Sequence, residues 1–214
     1  MACVLVDVDG TLLQGAGIER LFVTHLWHRH LLGRRQIASG LGFFLRFGLR
    51  YGWLTAVKNK AYLAGLEVSD VTRIADVFVH ERVSGRVRRS VLERLQIHRA
   101  AGEAVVLLSG APDFLVHPIA DFVGAHAVAA TVCAQKDGIF TADPPVCHPF
   151  YRDKVVVATA RCAESGFTLA ECTAYANDAY DLPLLSRVGY PVAVCPDRRL
   201  RRAARRQRWE IMET

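Results

Sequence analysis

Apolar runs of strand length recur along the chain, and stretches with helical spacing separate them. The first run, residues 3–6, stops at Asp7. Runs at 104–108, 125–132, 172–176 and 191–195 follow, each bounded by turn-forming residues. Helical patterns occupy 88–100, 113–123 and 153–164, and Gly102, Gly124 and Gly166 stand just past their ends as stop signals. A strand buried on both faces reads as a continuous apolar run. This alternation therefore predicts an α/β fold, a parallel sheet covered by helices, with ligands at the carboxyl ends of its strands. Residues 15–88 carry helix-length apolar patterns and no alternating strand. They predict a helical unit inserted between the first two strands, so the expected division is a core of 1–14 and 89–214 and an insert of 15–88. A further helix is predicted after Asp197.

Composition narrows the class. Of 214 residues, 51% are hydrophobic and 22% charged, which excludes a disordered chain or a collagen-like fibre. Cys3, Cys133, Cys147, Cys162, Cys172 and Cys195 include no C-x-x-C pair. With no export signal read at the amino terminus, they are expected to be free thiols in the cytoplasm. The net charge of +6 is unevenly spread: residues 20–66 hold eight basic residues and no acid, and residues 198–208 hold seven arginines and no acid. The remainder is acidic, which argues against a uniformly basic nucleic-acid binder, and the arginine-rich tail reads as a solvated helix face. The stretch 41–54 is aromatic, basic and acid-free. It is either a helix packed on its neighbours or an interfacial patch, peripheral at the inner face of the membrane, that contacts anionic lipid or admits a lipid phosphate.

Four groups carry candidate chemistry. Asp7-Val8-Asp9-Gly10-Thr11-Leu12 places two carboxylates at a strand end, where Gly10 lets the chain turn. One carboxylate could act as nucleophile and the other as proton donor; the alternative is an acidic turn capping a helix. A calcium loop of the EF-hand type is excluded, because Leu12 stands where that loop needs glycine. Ser109-Gly110, at another strand end before a turn, offers a hydroxyl and backbone N–H groups to an anion, or a simple helix cap. Lys154 opens a helix, and Asn177, Asp178 and Asp181 supply oxygens suited to Mg²⁺. Together these are the parts of phosphoryl transfer through an aspartate. His148, in the loop before Lys154, could face the site but reads more simply as an ordinary loop histidine, and His25 and His28 only approximate metal-ligand spacing.

DVDGTLL, LLSGAP, Lys154 and NDAYDLPLL, in this order, resemble the four motifs of the haloacid dehalogenase (HAD) superfamily. The helical insert, SGAPDFLVHPIA and GYPVAVCPDRRLRR resemble subfamily IB, the phosphoserine-phosphatase-like branch with a helical C1 cap. The resemblance implies a Rossmann-like core and a Mg²⁺-dependent phosphomonoester hydrolase working through an aspartyl phosphate. Asp7 would be the nucleophile. Asp9 would be the acid and base, with its backbone carbonyl on the metal. Ser109 would hold a phosphoryl oxygen, and Lys154 would neutralise charge. Gly10, Thr11 and Gly110 would line the phosphate site, and Asp7, Asp9, Asn177, Asp178 and Asp181 would surround the metal. The substrate would be a small phosphorylated metabolite or a lipid phosphate; the alternative is a silent phosphate-binding or regulatory protein. Motif four departs from the pattern: Asn177 stands where the family usually has a ligating Asp, and Asp178 falls one place late. The segment before Lys154 also lacks the usual glycine.

Overall fold

The computed structural model describes residues 3–213. In chain order the strands are β1 (Cys3–Val6), β2 (Ala104–Pro112), β3 (Ala127–Thr131), β4 (Gln135–Lys136), β5 (Ile139–Phe140), β6 (Thr173–Ala176), β7 (Tyr190–Val194) and β8 (Glu210–Met212). The helices are α1 (Ile18–His28), α2 (Arg34–Tyr51), α3 (Leu54–Lys58), α4 (Val68–Arg82), α5 (Arg89–Ala100), α6 (Asp113–Val123), α7 (Arg152–Glu164), α8 (Leu182–Leu185) and α9 (Arg198–Gln207). Six strands form one sheet in the order β3-β2-β1-β6-β7-β8, and every pairing in it is parallel. β4 and β5 form a separate antiparallel hairpin.

Strand periodicity divides the core into two layers. Val4, Val6, Val105 and Leu107 join the buried cluster that includes Phe22 of α1, Phe78 of α4 and Leu115 of α6. Cys3, Leu5, Val106 and Leu108 join Ala158 and Cys162 of α7, Leu184 of α8 and Leu200 of α9. β1 is thus apolar on both faces because helices cover both faces. In α9, Leu200 and Ala204 are buried while most of its arginines face water.

The segment between β1 and α5 runs through α1–α4 and short 3₁₀ turns, with no strand among its described residues. Its ends lie together: Leu13 pairs antiparallel with Val87, and Arg88 N donates to Leu12 O at 2.8 Å. The structure differs from the sequence expectation in three elements. β2 continues past Leu108 to Pro112 through a register shift against β3, so Ser109 and Gly110 lie in irregular extended chain, and the turn into α6 comes only at Asp113. The β4–β5 hairpin turns at Asp137 (φ 51) and Gly138 (φ 76), the positive-φ pair a tight hairpin favours. The third is β8, three residues pairing on the edge of β7. Among the described residues no helix is long and apolar enough to cross a membrane.

Candidate active site

The end of β1 sets the site. Asp7 N donates to Tyr175 O at 3.0 Å, extending the β1–β6 ladder by one residue and delivering Asp7 to the sheet rim. Gly10, at φ +81, then turns the chain, and Leu13 N donates to Val8 O at 2.9 Å. A side chain at Gly10 would be strained and would also overlap the Asn177 amide. This turn brings Asp9 to the first residue of α1, where Asp9 Oδ1 accepts from Ile18 N at 2.7 Å.

Asp7 is held at both oxygens. Lys154 Nζ donates to its Oδ1 at 2.7 Å, and Thr11 Oγ1 donates to its Oδ2 at 2.7 Å. Lys154, in the first turn of α7, also donates to Asp181 Oδ1 at 2.7 Å. It is only 4% exposed. Burial alone would lower its pKa, but Asp181 and Asp7 outweigh burial and hold it above the usual lysine range. Burial pushes the Asp181 carboxyl up to about 6 against the pull of Lys154. Burial likewise raises Asp9 to about 6, opposed by the Ile18 N–H and assisted by the charges of Asp7 and Glu19.

The chain reaches Lys154 through Tyr151, whose φ of 52 and ψ of −118 belong to glycine's territory. The absent glycine of the motif therefore has a counterpart: a tyrosine held in a glycine-like conformation. Its ring packs edge-on against Trp53 and Tyr180.

Ser109 is buried, and its Oγ accepts from Ala111 N at 3.1 Å, which leaves its hydroxyl proton available to an oxygen in the cavity. Gly110 lies beside it, with its carbonyl accepting from Thr131 Oγ1 at 2.7 Å. Asn177 Oδ1 lies 3.2 Å from Thr11 Oγ1. Asp178 Oδ1 instead accepts from Tyr180 N at 2.8 Å, capping the short turn that carries Asp181. Asp7, Asp9, Ser109, Gly110, Lys154, Asn177, Asp178 and Asp181 all line one cavity of about 240 Å³, with Gly10 and Thr11 directly behind its wall. A larger groove of about 700 Å³, between α4, α6 and the hairpin, contains none of them.

The same cavity collects residues outside the four motifs. Glu19 of α1 accepts from Lys60 Nζ at 2.5 Å and from Tyr62 Oη at 3.0 Å, and Glu19 and Lys60 line the wall. His148 is buried rather than an ordinary loop residue. Thr131 Oγ1 gives its proton to Gly110 O, so it accepts from His148 Nδ1 at 2.8 Å. His148 Nε2 is then a buried acceptor without a partner. Burial, with help from Lys60 and Lys58, pushes its pKa down to about 3, so the ring is neutral. His25 and His28 line a different groove.

The pattern of haloacid dehalogenase-like hydrolases matches residues 4–186, a span containing every residue of the cavity. The chain belongs to this family. It is 31% identical over 220 residues to phosphoserine phosphatase SerB1 of Mycobacterium tuberculosis, covering 99% of this chain and 70% of that protein. Among solved structures it is similar to a protein of unknown function from Bordetella pertussis Tohama I, with TM-score 0.82, 24% identity, and 99% and 97% of the two chains covered. It also shares its fold with a substrate-bound phosphoserine phosphatase complex, at TM-score 0.65, 18% identity, and 100% and 93% coverage. Within this haloacid dehalogenase-like fold, the four sequence motifs converge on one cavity at the carboxyl ends of β1, β2 and β6.

Proposed function

We propose that this protein is a cytoplasmic, Mg²⁺-dependent phosphatase that cleaves small polar phosphate monoesters through an aspartyl phosphate on Asp7. The core would be residues 1–14 and 89–214, with 15–88 as a cap. The observation that carries this reading is the Lys154 ammonium bridging Asp7 and Asp181 while Thr11 fixes the other Asp7 oxygen. A buried carboxylate so oriented at a cavity wall is poised to attack phosphorus. The free thiols suit a reducing compartment.

In the first step an Asp7 oxygen forms a bond to phosphorus as the ester P–O bond breaks. The electron pair leaves on the alcohol oxygen, which takes a proton from Asp9. A carboxyl raised to about 6 keeps a protonated fraction near neutrality, and the Ile18 N–H occupies Oδ1, leaving Oδ2 for that proton. In the second step the Asp9 carboxylate removes a proton from water, the water oxygen bonds phosphorus, and Asp7 departs with free phosphate as the second product. Ser109 and the backbone around Gly110 hold phosphoryl oxygens, and Lys154 offsets their charge.

The donor set fits a hard divalent cation: five carboxylates line the cavity (Asp7, Asp9, Glu19, Asp178, Asp181) against two lysines, Lys60 and Lys154. Asp7, the Asp9 carbonyl and Asn177 or Asp178 would hold it. Bound there, Mg²⁺ would supply the positive charge a phosphate dianion needs beside a carboxylate. The small cavity, the Lys60–Glu19 pair and the free acceptor on His148 favour a compact substrate with its own hydrogen-bond donors over a lipid phosphate. Similarity to phosphoserine phosphatase SerB1 supports the same class. Asn177 favours a second reading, a phosphate-binding protein without turnover.

Phosphate release from p-nitrophenyl phosphate, phosphoserine and a phosphatidyl phosphate, with Mg²⁺ and with chelator, tests both readings. The expected result is metal-dependent turnover, faster on phosphoserine than on the lipid and lost by at least about a thousandfold in Asp7→Asn. Full activity in Asp7→Asn would remove Asp7 as nucleophile. Phosphate binding with no turnover on any ester would favour the second reading.

A further inference from the structure

Helix α2 has two opposed apolar faces. One carries Phe43 and Phe47, buried with Ala61 and flanked by Tyr51 and Ala142. The other carries Ile37, Leu41, Phe44, Leu45 and Leu49, at the i, i+4, i+7, i+8, i+12 spacing of a single helical stripe, and all five are exposed. Leu45 is 89% exposed and Leu49 106%, so no described residue covers the stripe. A helix face turned to water ordinarily carries polar side chains, and a contiguous apolar one marks an interaction surface.

The charges around the stripe identify what it meets. Arg35, Arg46 and Arg50, spaced i, i+11 and i+15, form a row along one flank, and Arg34 stands at the stripe's amino-terminal end. All four are exposed. Arg46 reaches Asp143 at 3.4 Å, but both side chains are more than half exposed and the pair is weak. Trp53, also exposed, follows just past the helix end. No acidic residue occurs from 20 to 66. Two copies joined through this face would bring arginine rows together with only the exposed Asp143 beside them, which disfavours self-association. Branched and aromatic apolar side chains bordered by arginines match instead the boundary between acyl chains and anionic headgroups, with the long arginine stems reaching the phosphates.

We propose that α2 is an interfacial helix that seats the protein on an anionic lipid surface through Ile37, Leu41, Phe44, Leu45 and Leu49, with Arg34, Arg35, Arg46 and Arg50 at the headgroups. This does not depend on the phosphatase reading, because no residue in it lines the catalytic cavity.

Co-sedimentation with lipid vesicles tests it, using pure phosphatidylcholine and a mixture containing roughly one-third phosphatidylglycerol, at low salt and at about 0.5 M salt. The full chain is expected to bind the anionic vesicles at least about tenfold more strongly than the neutral ones, and to lose most of that preference in high salt. Leu45→Glu/Leu49→Glu is expected to weaken binding at least about tenfold. Arg46→Gln/Arg50→Gln is expected to lower the anionic preference while retaining weak neutral binding. These side chains face water, so circular dichroism should be unchanged. Equal, negligible binding to both vesicles overturns the proposal. So does a dimer seen by light scattering that Leu45→Glu/Leu49→Glu dissociates, with no vesicle binding by the parent chain.

Discussion

At position 177 an amide sits in the wall of a cavity that already holds five carboxylates. Its Oδ1 lies near Thr11, whereas the carboxylate of Asp178 is engaged by Tyr180 N. On the proposed reading the amide oxygen would be the better placed metal donor, at the cost of one negative charge. Asn177→Asp should tighten Mg²⁺ binding about tenfold in calorimetry, since ligand charge sets affinity in oxygen sites. Asp178→Ser, which keeps a capping oxygen, should change it less than about threefold. A larger loss in Asp178→Ser would make Asp178 the ligand. His148 gives a second residue-scale prediction. Its folded pKa is about 3 against an ordinary 6.5, so as pH falls below 6.5 the unfolded chain takes a proton that the native state refuses, and stability drops. Between pH 7 and 5 this amounts to about 2 kcal/mol. His148→Gln lacks that proton uptake, so in urea unfolding the wild type should lose about 2 kcal/mol more than the variant over this interval. The raised Asp9 and Asp181 are common to both proteins and cancel in the comparison. Asp7, Asp9, Ser109 and Lys154 could be picked out because each stands at the end of a predicted strand or the start of a predicted helix. Glu19 and Lys60 could not, since only the closing of the helical segment over the core makes them neighbours, and His148 is placed by the packing of its loop against Thr131.

Among the elements, α7 does more than cover the sheet. Its first turn drives a lysine between two buried carboxylates, and its last turn buries Cys162 against Cys172, with the sulfurs 3.3 Å apart. Lys154→Met would leave Asp7 and Asp181 facing each other without the cation, forcing proton uptake or movement. The expected loss is about 3–5 kcal/mol of stability by urea unfolding, together with loss of turnover. A loss below about 1 kcal/mol would mean that the carboxylates separate freely in the native state. Long elements were legible for plain physical reasons: β1, β2 and β6 are buried on both faces, and α5, α6 and α7 end near glycines. The Asp137-Gly138 turn was readable as a hairpin signal, but its two-residue strands carry no alternation to frame it. β8, also short, is fixed only by the open edge of β7. The run of β2 beyond Leu108 depends on its register shift against β3, a tertiary effect with no local sequence trace.

For the molecule as a whole, the helical segment shares the main buried cluster with the sheet and α6, and at the cavity rim it adds aromatic contacts. Trp53, between α2 and α3, stacks on Tyr180 with ring centroids 5.6 Å apart and meets Phe150 and Tyr151 edge-on at 6.2 and 6.1 Å. Lys58 adds a pair to Asp153 at 3.3 Å, largely exposed on the aspartate side and weak for that reason. The aromatic contact therefore bears on how firmly the α2–α3 turn stays seated at the cavity rim. A seated segment excludes bulk water equally from bound substrate and transition state, so Trp53 contributes to both alike. Trp53→Ala removes ring contacts worth roughly 1 kcal/mol beyond their buried area, and KM for p-nitrophenyl phosphate should rise about fivefold to tenfold while kcat stays within about twofold. Trp53→Phe should recover part of the difference. A fall in kcat with KM unchanged would instead mean that Trp53 helps align the reacting groups, and the aromatic clasp would then belong to the chemistry as well as to the closure.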